Sequence, residues 1–404
     1  MNKIDLSTEK LKEQVKNLSE SAEQLPQKVK DLSDNATQQI RNLSESAGQQ
    51  VKNIADNAEQ LPQKVKDLSD NATQQIRNLS ESADQLPQKV MQIQKKMDGE
   101  IRNWVFHNLD DLPKGIASNH LTDVCLVLEG GAFRGLYTSG VCDALMEADI
   151  NARCTIGVSA GALNGINYVA GQIGRAAHIN LKYRNDPRYV GGLAYMQNHG
   201  IIGFDFLFGD AGKEYPLDSV RFYAPNRRFV AVATNCMTGQ PEFFERGECE
   251  DILQACRASA SMPFVSQMVY IGEQPYLDGG CSDAIPYQWA IDEGYDKIII
   301  VRTRADEFRQ ERETMDNPAT RTMYRNYPAL ERALVESASR YNKQCNDIEM
   351  LRRKKKVFVI SPSEEIDIGR LERDTKRLGD VYYMGYKDTK RLMPRLKEYL
   401  NKGE

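Results

Sequence analysis

VCLVLEGGAFRGLYTSGVCDALMEADINARCTIGVSAGALN, residues 124–164, reads as strand, glycine loop, helix, strand and a second tight turn into a helix. Val124 to Leu128 is a short apolar run of the kind a buried parallel strand shows. Gly130, Gly131 and Gly135 follow, with the small Ala132 between them, so the backbone can turn tightly and present its N–H groups. A helix through Leu136–Met146 begins at that loop, its positive end directed where an anion can sit. A second strand, near Arg153–Val158, delivers Ser159 onto a sharp strand-to-helix turn. Gly157 and Gly161 allow the close backbone approach that a nucleophile elbow needs. The stretch supplies a candidate nucleophile and a candidate oxyanion loop.

Outward from this stretch, strand signals recur at Arg228–Thr234, Met268–Ile271, Lys297–Arg302 and Lys356–Ile360, after a mostly helical segment that runs to about residue 222. Helical patterns lie between them at Asp251–Ser261, Tyr287–Glu293, Thr320–Leu351 and Gly379–Leu400. Strands alternating with helices predict an α/β domain with a mostly parallel sheet covered on both faces. Ligand sites in such sheets lie beyond the carboxyl ends of strands. Gly130–Gly135 and Ser159 both fall there. The chain thus divides into a repetitive region, 1–100, a linker, 101–122, whose helical pattern starts near residue 91, a catalytic region, 123–295, and a C-terminal α/β completion, 296–404.

A serine needs an adjacent base to act as a nucleophile. The chain has four histidines, His107, His120, His178 and His199, and none after residue 199. That order disfavours a Ser–acid–His triad of the α/β-hydrolase kind. A carboxylate is the next candidate. Asp278 ends the short strand-like run Pro275–Asp278, and Gly279 and Gly280 after it permit a tight turn; the same Asp-Gly-Gly also reads as an ordinary turn. The first glycine loop has a rival reading as a degraded dinucleotide fingerprint, although the second strand-to-helix turn offers Ser159 where an acid is expected.

The combination resembles the patatin-like phospholipase family. The residues that carry the resemblance are Gly130-Gly131-Ala132-Phe133-Arg134-Gly135 for the oxyanion loop, Gly157-Val158-Ser159-Ala160-Gly161 for the elbow, and Asp278-Gly279-Gly280 for the acid. Ala258–Pro263 and the Asp283-x-x-Pro286 segment are similar to further family segments, and the stretches RNYPALERAL and RYNKQCNDIEML look like a bacterial branch. The resemblance implies a three-layer α/β/α patatin-like domain and a Ser159–Asp278 dyad. It also implies backbone N–H groups around Gly131–Phe133 that hold an oxyanion, and a phospholipid or other acyl-ester lipid as substrate, with no cofactor or metal. Family members often carry a third glycine where this chain has Ala132, so the loop geometry is expected to depend on Ala132 staying at negative φ. Arg134 either orients the loop, caps nearby carbonyls or meets a phosphate. The other function class is a catalytically idle lipid-binding or assembly protein organised by the N-terminal helix.

That N-terminal region differs from the rest. Residues 23–47 recur unchanged at 59–83, and residues 1–100 contain no Cys, Trp, Tyr or Phe. Apolar positions such as Leu18, Ala22, Leu25, Val29 and Leu32 recur every three to four residues, averaging the period of a straight α-helix. Pro26, Pro62 and Pro87 interrupt it, each removing a helix hydrogen bond. The stripe reads either as a solvated stalk that self-associates or as an amphipathic helix lying on lipid. Arg352–Lys356 is a basic run that reads as complement to a helix C-terminus or as an attraction to anionic lipid. The net charge of −4 argues against nucleic acid as a partner. All eight cysteines follow residue 124 without a CxxC pair, which suits reduced thiols. No apolar leader or run long enough to span a bilayer is evident, so the expectation is a cytoplasmic protein, with peripheral membrane contact as its lipid-facing variant.

Overall fold

The computed structural model describes residues 38, 42, 45, 105–311, 315 and 317–401. Met1–Gly99 and Glu100–Glu404 separate as two units. In the first, Gln38, Asn42 and Glu45 are helical and exposed, and the Gln38 amide donates to Asn42 Oδ1 at 3.1 Å. The apolar stripe of the repeat and its prolines lie outside the described residues.

Over residues 105–121 the helical pattern expected of the linker is not met. This segment contains a single 3-10 turn, Leu109–Asp111, and the two-residue strand β1 (Gly115–Ile116), with no α-helix. Phe106 and Leu112 are buried in the main core, and the Phe106 N–H donates to the Leu181 carbonyl. Apolar anchoring therefore holds the segment against the domain, and Pro113 stops any helix from continuing.

The remaining strands are β2 (Thr122–Leu128), β3 (Ala152–Val158), β4 (Gln172–Ile173), β5 (Arg228–Asn235), β6 (Pro241–Glu245), β7 (Val269–Ile271), β8 (Gln274–Asp278), β9 (Ile298–Val301) and β10 (Phe358–Ile360). β1 and β4 form a small antiparallel pair; the others form one sheet in the order β10-β9-β2-β3-β5-β8-β7, with β6 also on β5. Every pairing from β10 across to β5 is parallel, while β6, β7 and β8 add antiparallel neighbours at one side. The sheet is thus mixed, with a parallel centre.

Helices that flank the sheet include α1 (Gly135–Glu147), α2 (Ala160–Val169), α3 (Ile252–Ser259), α4 (Pro328–Arg353) and α5 (Thr375–Asn401). Strand alternation decides which face meets which helices. Val124, Leu126 and Leu128 of β2 pack with Leu136 and Leu145 of α1 and Leu378 and Tyr382 of α5. Cys125 and Val127 point the other way, into a core shared with Tyr341, Cys345 and Ile348 of α4. The single helix predicted over Thr320–Leu351 is broken: a short helix, Pro318–Met323, stops before Tyr327, and α4 restarts with Pro328 in its first turn. Proline at that position disfavours a helical residue before it and is well placed after it. At the other end of α4, Arg352 pairs with Asp306 and Arg353 with Glu349, which fits basic side chains at a helix C-terminus. Among the described residues no helix is long and apolar enough to cross a membrane.

Candidate active site

β3 ends at Val158, and Ser159 occupies the turn before α2 with φ 55° and ψ −124°. An L-residue in such a conformation costs on the order of 1–3 kcal/mol, so the surroundings must hold it. They do so on three sides. The Ser159 N–H donates to Ser259 Oγ at 2.8 Å, and the Ser159 carbonyl accepts from Leu163 N–H at 3.2 Å. A side chain on Gly157 would meet the Gly161 carbonyl at 2.6 Å, and one on Gly161 would press on the Leu128 carbonyl. Both glycines exist to let β2, β3 and α2 close up around the serine.

The glycine loop runs alongside. Glu129 is buried and anchors it, accepting from Thr303 N–H and Tyr341 O–H, both at 2.7 Å, with Arg302 beside it. Thr303 Oγ1 donates to the Gly130 carbonyl at 2.7 Å and packs against Gly131. Gly130 lies so close to the elbow that a Cβ on it would meet Ser159 Cβ at 3.0 Å. Ala132, Phe133 and Arg134 form a 3-10 turn that leads into Gly135, the first residue of α1. Gly135 abuts Ala160, and its carbonyl accepts from Asn164 Nδ2 at 3.0 Å, which ties the start of α1 to α2. The first N–H groups of a helical turn have no acceptor within it. The Arg134 N–H donates back to the Gly131 carbonyl at 3.0 Å, which leaves the N–H groups of Ala132, Phe133 and Ala160 as the ones directed beside Ser159.

One expectation here is overturned. Ala132 has φ 50°, in the left-handed region, where negative φ was expected. The chain leaves Gly131 in an extended conformation, φ 164°, and must reverse at once to enter the 3-10 turn. Ala132 takes the strain, since the loop is fixed on one side by Glu129 and on the other by α1.

Asp278 reaches the serine through strand register. β5 pairs with β3 up to Val232–Val158 and with β8 from Ala233–Asp278 onward. The carboxyl ends of β3 and β8 thus meet head to head on neighbouring residues of β5. Gly279 makes this possible, because a Cβ there would collide with the Val232 carbonyl and touch Val158. The Asp278 carboxylate accepts from Gly280 N–H at 2.8 Å and lies beside the Ser159 side chain, which lowers its pKa. The Asp278 N–H donates to the Ser261 carbonyl, and Thr234 Oγ1 donates to the Asp278 carbonyl, each at 2.9 Å. Ser159 and Asp278 are 7% and 8% exposed, so water screens neither. Burial pushes the Asp278 carboxyl up to about 6, against the lowering pull of the Ser159 and Gly280 hydrogen bonds and the positive charge of Arg370.

Ser159, Ala132 and Met262 separate two cavities. One, of about 200 Å³, is walled largely by apolar side chains, among them Phe133, Leu136, Leu163, Ile179 and Leu253. The other, of about 450 Å³, reaches Asp278 and is lined by Arg134, Arg304, Arg309 and Arg370. Neither lining contains a histidine. Asp283, the start of the Asp-x-x-Pro segment, accepts from Gln344 Nε2 of α4. Sequence reasoning did not assign Ser259, Glu129, Thr303 or Asn164. Ser259 at least falls in the Ala258–Pro263 segment; the other three act from positions that no local motif marks.

Residues 126–291 match the family model of the patatin-like phospholipases. Residues 126–291 are a patatin-like phospholipase domain. Residues 327–401, from the start of α4 to the end of α5, match a domain of unknown function, DUF6363. The chain is 30% identical over 185 residues to the uncharacterized protein YjjU of Escherichia coli K12, an alignment that covers 45% of this chain and 52% of that protein. The chain therefore spans about half the length of this curated relative. Among solved structures it is similar to VipD from Legionella pneumophila, with a TM-score of 0.37 and 14% identity, covering 69% of this chain and 67% of that one. It is also similar to the type III effector protein ExoU, with a TM-score of 0.34 and 12% identity over 71% of this chain and 54% of that one. The patatin-like domain contains Ser159, Asp278 and all of the glycine positions described above.

Proposed function

We propose that this chain is a serine lipid acyl hydrolase, a phospholipase A or esterase, that works through a Ser159–Asp278 dyad. The observation that carries the reading is that strand register and burial bring Ser159 and the Asp278 carboxylate together at the mouth of an apolar cavity. Asp278 takes the Ser159 proton as Oγ attacks the ester carbonyl carbon. The carbonyl oxygen becomes an oxyanion, held by N–H groups from Gly131 to Phe133 and by Ala160, the residue after the nucleophile. Collapse breaks the acyl C–O bond, and the leaving alkoxide takes the proton from Asp278. Water then gives a proton to Asp278 and attacks the acyl-enzyme, releasing a fatty acid and restoring Ser159. The apolar cavity receives the acyl chain, and its walls exclude water from the chain but leave Ser159 reachable. The substrate class is a phospholipid or other acyl-ester lipid met at a membrane surface, with residues 1–100 as the region that contacts the membrane or a second copy of the chain.

The test is turnover of a short-chain chromogenic ester and of phospholipid vesicles by the wild type, Ser159→Ala and Asp278→Asn. We expect both variants to be folded and to lose at least about 10³-fold in kcat/KM, as dyad members that act as a unit do. Ser159→Ala that retains activity would remove the elbow from the mechanism. A folded wild type that is idle on both substrates would favour a lipid-binding or assembly protein instead.

A further inference from the structure

The larger cavity holds more positive charge than hydrolysis of an ester requires. Arg134 comes from the glycine loop, Arg304 from the segment after β9, and Arg370 from the segment between β10 and α5. They belong to three distant parts of the chain, and Arg370 lies within the domain of unknown function. Arg134 Nε is buried with no hydrogen-bond partner among the described residues. Its guanidinium feels the like charges of Arg304 and Arg370, and burial together with that repulsion pulls it down to about 10. Arg370 is exposed at the cavity edge and forms no ion pair among the described residues, while its field reaches Asp278.

Among the described residues, the remaining charges of the cavity do not balance this set. Arg304 keeps one bond, to Glu365 at 2.5 Å, and its guanidinium carbon lies over the Phe308 ring, 4.2 Å from the centroid. Arg309 is occupied by the Asn346 side chain and by the carbonyls of Asp306 and Phe308. Of the acids in the lining, Glu129 is taken up by Thr303, Tyr341 and Arg302, Asp278 faces Ser159, and Glu311 has contacts of its own. Like-charged guanidinium groups gathered at one cavity repel unless an anion sits between them. Guanidinium is planar, stays charged and matches the oxygens of a phosphate in pairs.

We propose that this cavity binds the phosphate of an anionic glycerophospholipid, with Arg304 and Arg370 joining Arg134 to hold it while the acyl chain lies in the apolar cavity across Ser159. The domain of unknown function then contributes to substrate selection by supplying Arg370. The proposal rests on the lipid hydrolase reading of Ser159 for its second half only. The anion site itself stands on the arginines.

Two measurements on the full chain separate these parts. The first is calorimetric titration of sn-glycerol 3-phosphate and of inorganic phosphate into the wild type, Arg304→Gln and Arg370→Gln. The second is the ratio of kcat/KM for soluble dihexanoyl phosphatidylglycerol to that for an uncharged dihexanoyl glycerol. We expect glycerol 3-phosphate to bind more tightly than inorganic phosphate, each substitution to weaken it roughly tenfold, and the kinetic ratio to fall by a similar factor. Arg370→Lys, which keeps charge without the planar fork, should recover part of the loss. A wild type that turns over both esters with a ratio unmoved by either substitution overturns the proposal and leaves the hydrolase reading standing. A wild type that hydrolyses neither ester, yet loses glycerol 3-phosphate binding in both variants, supports the anion site and sinks the hydrolase reading. Equal binding of inorganic phosphate and glycerol 3-phosphate overturns the lipid assignment in favour of a free-phosphate site.

Discussion

Burial of Asp278 has opposite consequences for activity and for stability. Its carboxyl sits near 6, against about 3.8 for an exposed aspartate. Between those values the folded chain holds a proton that the unfolded chain has released. The stability linked to that proton is present below about pH 4 and is lost as pH rises through about 6. Activity needs the ionised base, so kcat/KM on an uncharged ester should rise with pH and level off above about 6. Asp278→Asn should therefore be inactive yet more stable than the wild type at pH 8, by up to about 3 kcal/mol. The gap should close near pH 4, as urea denaturation at the two pH values would report. A gap independent of pH would mean that Asp278 is not buried in its charged form. Ala132 gives a second residue-level test. An L-residue in the left-handed region costs roughly 1–2 kcal/mol, and glycine returns part of that as unfolded-state entropy. Ala132→Gly should leave stability unchanged or raise it by up to about 1 kcal/mol, whereas Ala132→Val should lower it. A destabilised glycine variant would show that the loop carries no strain at this position. The sequence marked Ala132 as the unusual residue but not the sign of its φ, because that sign follows from Glu129 and α1 fixing the two ends of the loop.

At the scale of elements, α1 matters because it begins at the glycine loop and is held from behind by α5. The two helices cross closely at Gly140 and Gly385: a side chain on Gly140 would collide with the Tyr382 carbonyl, and one on Gly385 with the Tyr137 carbonyl. Around this crossing the polar groups pair reciprocally. Tyr382 O–H donates to Asp143 at 2.9 Å, and Tyr137 O–H donates to Asp388 at 3.3 Å. Burial raises the Asp143 carboxyl to about 7. Gly385→Ala should force the helices apart, costing about 1–3 kcal/mol as overpacking does, and should lower ester turnover by shifting the start of α1. Unchanged denaturation and turnover would mean that α5 is not the support of the loop. Parallel strands such as β5 and β9 were legible as apolar runs, and the elbow as a pair of glycines. The meeting of β3 and β8 on β5 was not, since register between distant strands leaves no local signal. The short β6, PEFFE, was also missed because a half-exposed edge strand lacks the apolar run of the central ones.

For the whole molecule, the two ends of the chain should behave differently when removed. The C-terminal segment is continuous with the core: Leu378, Tyr382 and Leu396 of α5 pack with Leu136 and Leu145 of α1 and with Leu126 of β2. A chain that ends at Ile360 would expose that apolar surface and leave Asp143 and Tyr137 without their buried partners. Each uncompensated buried polar group costs about 1–3 kcal/mol, and the lost apolar burial adds several more, against a typical domain stability of about 5–15 kcal/mol. That truncation should abolish cooperative thermal unfolding and ester turnover together. Met1–Gly99 is a separate unit, so a chain starting at Glu100 should retain a cooperative melt and hydrolysis of a soluble ester. Its role is read at a surface: if the repeat is the membrane-contacting region, flotation with anionic vesicles should fall when residues 1–99 are absent, and the difference should persist at high salt if the apolar stripe rather than charge makes the contact. Equal flotation of the two chains would assign membrane contact to residues 100–404, and a change in sedimentation alone would assign the repeat to self-association.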